Sequence, residues 1–334
     1  YGIKGNDEIG GRRFAYLTTV GTGYGEYPLG YNVDTHWGSV GEDQWGSDLT
    51  WEKEKEKNIG VEVRFLDGFY LQVDYFTRHR TGIFQQRNSL PAIMGLKNNP
   101  WGNIGEFKNS GMEATLEYNR QIGEVQVALR GNYTFARNNL LNNDAPDELY
   151  TYQNAKGKRL GQPFGLLAEG LFTSEDDIKS SPEQAFGAVR PGDIKYKDVN
   201  GDGIVNTYDR VAIGNPSTPE IVFGFGTSIA YKGFDISVFF QGAGNMDFML
   251  GGDGFFPYRR GEEQGNVTYY ATDRWTPENP DQHALFPRLS AGDNPNNYQT
   301  STWWQRKADY LRLKTAELGY TLPKSVLHSL KITT

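Results

Sequence analysis

The sequence predicts an all-β fold: an antiparallel transmembrane β-barrel portion with long extracellular loops. Three observations predict it. Apolar and polar residues alternate with period two in successive paired segments. The connections alternate as well, a few residues within a pair and dozens between pairs, as outer-membrane barrels have them. Each segment is about 10–14 residues, enough to cross a bilayer at a tilt.

The first pair lies in "NIGVEVRFLDGFYLQVDYFTRHRTGIF". Ile59, Val61, Val63 and Phe65 fall on one face, with Gly60, Glu62 and Arg64 opposite. After a turn at Leu66–Gly68, Phe69, Leu71, Val73 and Tyr75 alternate with Tyr70, Gln72, Asp74 and Phe76. A tight turn between two alternating runs reads as a β-hairpin. The second pair sets Met112, Ala114, Leu116 and Tyr118 against Glu113, Thr115, Glu117 and Asn119, and returns through Val125, Val127, Leu129, Tyr133 and Phe135. The third runs from Ile221 to Tyr231, turns at Lys232–Gly233 and continues through Phe234, Ile236, Val238 and Phe240. A fourth starts at "YLRLKTAELGY", its return strand falling at the chain end. Long segments separate the pairs: roughly 84–108, 138–219 and 242–309. Alternation alone also fits a soluble sandwich; strand length, aromatic faces and loop asymmetry favour the barrel.

Composition narrows the function classes. The net charge of −7 argues against nucleic acid as a partner. With no cysteine there is no disulfide framework, thiolate metal site or cysteine nucleophile. No run approaches 18 apolar residues, so no transmembrane helix is expected, and the opening "YGIKGNDEIGG" has no signal-peptide pattern. A mean hydropathy of −0.63 does not argue for solubility, because transmembrane barrels also average as polar.

The segment 138–219 carries the one motif with metal-ligand spacing. In "DVNGDGIVNTYD", positions 1, 3, 5, 7, 9 and 12 are Asp198, Asn200, Asp202, Ile204 (through its carbonyl), Asn206 and Asp209, with Gly203 at position 6. That spacing supplies oxygen ligands for calcium. Asp209 replaces the usual bidentate Glu, and "RPGDIKYK" and "VAIGNPSTPE" leave no room for flanking helices of ordinary length. Two readings stand: a structural calcium ion, or a loop closed by Asx turns without one.

No catalytic residue and no organic cofactor is assigned. His36, His79, His283 and His328 lack metal-ligand spacing, and no G-x-S-x-G or H-E-x-x-H occurs. "GFGTS" and "GAGN" lack a strand–turn–helix setting, and Asp176–Asp177 reads as a solvated charge pair before it reads as a glycosidase dyad. Trp37, Trp45, Trp101, Trp275, Trp303 and Trp304 fall in loops or near strand ends, where girdle or loop-packing roles outweigh ligand contact.

Several blocks together resemble the SusC-like (SusC/RagA) TonB-dependent transporters of the Bacteroidota outer membrane. They are "DLTWEKEKEKNIGVEVRF", "YLQVDYFTRHRTGIF", "NIGEFKNSGMEATLEYN", "AEGLFTSEDDI", "GDIKYKDVNGDGIVNTYDRVAIGNPSTPEIVFGFG", "RWTPENP", "FPRLS" and "YLRLKTAELGYTLP". The resemblance implies that residues 1–334 are the C-terminal part of a barrel of about 22 strands, without its N-terminal plug and final strand. It also implies import of oligosaccharides or peptides, a SusD-like surface lipoprotein, the TonB complex acting through the plug, and outer-membrane lipid around the wall. A soluble, calcium-binding carbohydrate-recognition module is the alternative, and a secreted glycan-degrading enzyme a third.

Overall fold

The computed structural model describes residues 1–28, 36–96, 98–258, 267–292, 294–323 and 327. Eight strands form one antiparallel sheet whose order follows the chain: β1 (Gly2–Asn6), β2 (Glu52–Phe65), β3 (Phe69–Gln86), β4 (Trp101–Ile122), β5 (Val125–Asn142), β6 (Ile221–Tyr231), β7 (Phe234–Gly244) and β8 (Tyr310–Tyr320). Three of the joins are tight. Leu66, Asp67 and Gly68 all have positive φ, and Lys232–Gly233 is a two-residue turn with φ of 46° and 89°, the mirror-image geometry that matches strand twist. Glu124, in the third turn, pairs with Lys232 of its neighbour at 3.0 Å. The remaining joins are long and all lie at the opposite end.

The register sorts the faces. Paired residues in an antiparallel sheet share a face. Val63, Leu71, Leu116, Gly131, Phe225, Phe240 and Leu313 pair in succession into one row across seven strands. The neighbouring row, on the other face, reads Arg64, Tyr70, Glu117, Arg130, Gly226, Phe239 and Thr315. Nothing among the described residues covers the apolar face: Ile59 is 70% exposed and Val61 59%. The polar face is internally bonded. Tyr70 donates to Gln72, Gln72 donates to Asp74, and the Arg130 guanidinium lies 4.8 Å from the centre of the Phe239 ring. A sheet that exposes its apolar side and bonds its polar side is a barrel wall facing lipid, since a soluble sandwich does the reverse.

Two expectations are revised. β3, β4 and β5 run 18, 22 and 18 residues, well past the expected length, so the connection placed at 84–108 shrinks to 87–100 and the segment placed at 138–219 becomes 143–220. Hydrophobic alternation ends where a strand leaves the apolar band, while backbone pairing continues beyond it. The sheet has eight strands as expected, but β1 supplies the eighth; the return strand of the fourth pair falls almost wholly outside the described residues.

Candidate functional site

The long joins are not loose. Segments 143–220 and 245–309 fold onto one another around a core of Leu166, Leu171, Ile194, Tyr196, Val205, Phe256, Trp275, Phe286 and Trp304. Four of the sequence blocks meet there. Gly192 of "RPGDIK" has φ of +89°, and a Cβ on it would lie 2.2 Å from the Trp275 ring of "RWTPENP". Asp193 beside it is fully buried and receives both arms of Arg288 from "FPRLS", at 3.2 and 3.0 Å. The side-chain amides of Asn294 and Asn297 and the Arg190 N–H complete its shell. Phe172 of "AEGLFTSEDD" is buried and exchanges backbone hydrogen bonds with Gly192 and Asp193. One carboxylate thus accepts five donors and joins the two excursions, which is how a buried charge is stabilised.

The module is fixed to the wall at its rim. Glu220, just before β6, takes Arg137 of β5 bidentately at 2.7 and 2.7 Å and Arg159 at 3.3 Å. Burial alone would raise the Glu220 carboxyl; the two guanidinium groups outweigh it and hold the group below the usual range. Beside it, the Asn215 N–H and the Gln305 side chain donate to one Asp247 oxygen, at 2.7 and 2.6 Å.

The calcium-type loop lies on this module. Asp198 accepts from the Gly201 and Gly203 N–H groups at 2.7 and 2.8 Å. Asn200 Oδ1 accepts from the Asp202 N–H at 3.0 Å. Asp202 accepts from the Ile204 N–H at 2.8 Å and the Asn200 amide at 2.9 Å. Buried Asp209 spans the loop, accepting from Val199 at 2.8 Å and Asn206 at 2.7 Å. Asn206 caps the short 3-10 turn Thr207–Asp209, and Ile204–Val205 pairs with Glu183–Gln184. The loop therefore closes on its own backbone. Among the described residues no three His, Asp or Glu side chains are grouped as a metal centre. The donors are hard oxygens suited to calcium; each carboxylate oxygen of Asp198 and Asp202 accepts one hydrogen bond and keeps a second lone pair, while Asp209 Oδ1 already accepts from both the Val199 and Asn200 N–H groups. A stacked pair, Tyr150 and Tyr152, holds the loop from the side: the Tyr152 hydroxyl donates to the Tyr208 carbonyl at 2.7 Å, and Asn200 donates to the Tyr150 hydroxyl at 3.2 Å.

The other sequence candidates separate. Trp275 and Trp304 are core residues, and Trp303 packs against the same core. Trp101 opens β4, its ring tilted 33° against that of Phe84 at 5.4 Å. Trp45 stands just past a short strand, His36–Gln44, and is half-buried. The side chains of Trp37 and His36, and all of His328, lie outside the described residues. His79 is on β3 beside Glu106, and His283 is in the second excursion. Asp176 is exposed, while Asp177 is held below the usual carboxyl range by the Thr173 N–H and Lys195. These two acids do not converge. What the sequence hid is the module core: its residues come from stretches without periodicity, and Asp193 differs from a surface aspartate only by its partners.

An antiparallel barrel wall with a folded loop module on one end is the architecture these elements define. Its resemblance to the SusC-like TonB-dependent transporters holds on comparison with known proteins. The chain is 29% identical over 290 residues to TonB-dependent receptor P26 of Formosa agariphila, a match covering 82% of the chain and 28% of that protein. It is 25% identical over 244 residues to TonB-dependent receptor SusC of Bacteroides thetaiotaomicron, covering 71% and 24%. The chain thus spans less than a third of these relatives. Its fold matches the RagAB peptide importer in its open-open state with a TM-score of 0.70 at 21% identity, over 97% of this chain and 33% of that one. No protein-family model matches.

Proposed function

We propose that the chain is part of the wall of a TonB-dependent transporter in a Gram-negative outer membrane, importing oligosaccharides or peptides without covalent chemistry. The observation that carries it is the apolar row running uncovered across seven strands, with every long join at one end. In outer-membrane barrels that end faces outward, so the loop module stands at the cell surface. A SusD-like lipoprotein would close over it, and the TonB complex would act through parts of the longer protein. The peptide importer RagAB among its structural neighbours supports peptides as one substrate class. The 198–209 loop is a clip that pins the first excursion beside the rim, with or without calcium.

Uptake tests this. Cells expressing the full-length protein should accumulate members of one class from a labelled oligosaccharide and peptide panel, and lose that uptake when the TonB complex is deleted. Uptake that persists without the complex, or a protein that stays in the soluble fraction, overturns the reading.

A further inference from the structure

The stretch "WEKEKEKN" opens β2 with strictly alternating acids and bases. In β2 its glutamates and lysines separate by face. Glu52, Glu54 and Glu56 turn inward and are answered: Asn6 donates to Glu52 at 3.0 Å, Arg80 to Glu54 at 2.8 Å and Arg78 to Glu56 at 2.9 Å, with Lys4 also on Glu56. Lys53, Lys55 and Lys57 alternate to the outer face. There Lys55 pairs with His79, and His79 with Lys108, in one row across three strands. Strand spacing puts Lys55 about 10 Å from Lys108, with Lys57 about 7 Å along the strand from Lys55. The ammonium groups of Lys53, Lys55, Lys57 and Lys108 make no hydrogen bond or ion pair among the described residues. The nearby acid on this face, Glu106, sits 2.5 Å from His79. Lys55, Lys57, Thr77, His79, Lys108 and Leu141 line a groove of about 630 Å³.

The height of this patch identifies its partner. The next row toward the tight turns but one is Ile59, Tyr75 and Met112, the start of the apolar face. From there to Phe65, Phe69 and Tyr118 the outer wall is apolar. The lysines therefore stand at the outer rim of the lipid-facing band, where cations are tolerated, and basic clusters at that height bind anionic headgroups. Lys55, Lys57 and Lys108 place three like charges along one groove, with Lys53 one row above, and together they offer an anion a complementary site.

We propose that this groove binds a phosphorylated, multiply acylated lipid of the outer leaflet. Its phosphate would lie among Lys55, Lys57 and Lys108, and its acyl chains along Ile59, Val61 and Val63. The proposal rests on the outer-membrane reading above, so heat-modifiable gel mobility is measured on every sample to report barrel assembly separately. The full-length protein is purified from outer membranes and its retained lipid A quantified by mass spectrometry, beside the Lys55→Gln/Lys57→Gln/Lys108→Gln variant and a Lys232→Gln control at the tight-turn end. Nanodiscs doped with lipid A, with dephosphorylated lipid A, or with neither plus inorganic phosphate then separate the headgroup from the chains and from free anion. The expected result is at least about a tenfold loss of retained lipid A in the triple variant, none in the control, and binding only to phosphorylated lipid A. Equal retention by the assembled triple variant, equal binding of the dephosphorylated lipid, or saturation by inorganic phosphate alone overturns it.

Discussion

At Asp193 one carboxylate joins the two excursions of the loop module. It is fully buried, and Arg288, Asn294 and Asn297 reach it from the second excursion. Removing one partner of a buried charge network costs far more than removing a surface pair, because the remaining donors stay buried without an acceptor. Asp193→Ala is expected to destabilise the module by about 3–5 kcal/mol. Arg288 is partly exposed and can recover some water, which places the value at the lower end. The check is limited proteolysis of the purified protein: rapid cleavage within 143–220 and 245–309, with the barrel core still heat-modifiable. Asp176→Ala, removing an exposed acid that meets Lys179 only at 3.7 Å, should cleave like the wild type. If both variants resist equally, the Asp193 node does not hold the module.

Among the strands, the two faces differ in what they tolerate. Val63 and Leu129 stand within the apolar band of the outer face, and Glu62 and Arg130 on the inner one. Val63→Arg or Leu129→Arg is expected to cost about 2–4 kcal/mol of membrane stability. Glu62→Ala and Arg130→Ala should assemble nearly normally, the second losing its contact with Phe239. Heat-modifiable mobility of membrane fractions reads this out; equal yields for both pairs would contradict the lipid-facing assignment. These elements were legible in the sequence because a lipid-facing wall imposes strict alternation. Ile59 through Phe65 and Phe69 through Tyr75 announce both period and turn. The outer halves of β3 and β4 were not legible, since Thr77 to Gln86 and Trp101 to Ser110 extend the pairing without an apolar face to mark it. The 198–209 loop was legible as two alternatives: its spacing singled out Asp198, Asn200, Asp202 and Asp209, the Asx closures offered as one reading are present, and spacing alone does not decide whether an ion joins them.

Across the whole molecule, the loop module has its own core and is tied to the barrel by polar contacts at the rim, among them Arg137 and Arg159 on Glu220 and the backbone bonds of Leu140 with Gly157 and Lys158. Such a unit can loosen without unfolding the wall beneath it. The clip lies on the module, and a surface partner would meet the module rather than the wall. Asp198→Ala/Asp202→Ala removes four acceptors that close the loop, two of them for Gly201 and Gly203, whose φ values are +76° and +87°. The loop should then become protease-sensitive and co-purification of the surface lipoprotein should fall, with barrel mobility unchanged. Calcium enters as a separate variable. A site of about 10⁻⁴–10⁻³ M would be filled by external calcium, and ligand held only by the closed loop stabilises that state. If chelator makes the wild-type loop as cleavable as the double variant, the clip holds an ion. If the variant loosens while the wild type ignores chelator, the hydrogen bonds alone close it. If the variant keeps both its protease resistance and its lipoprotein, the loop is a turn that pins nothing.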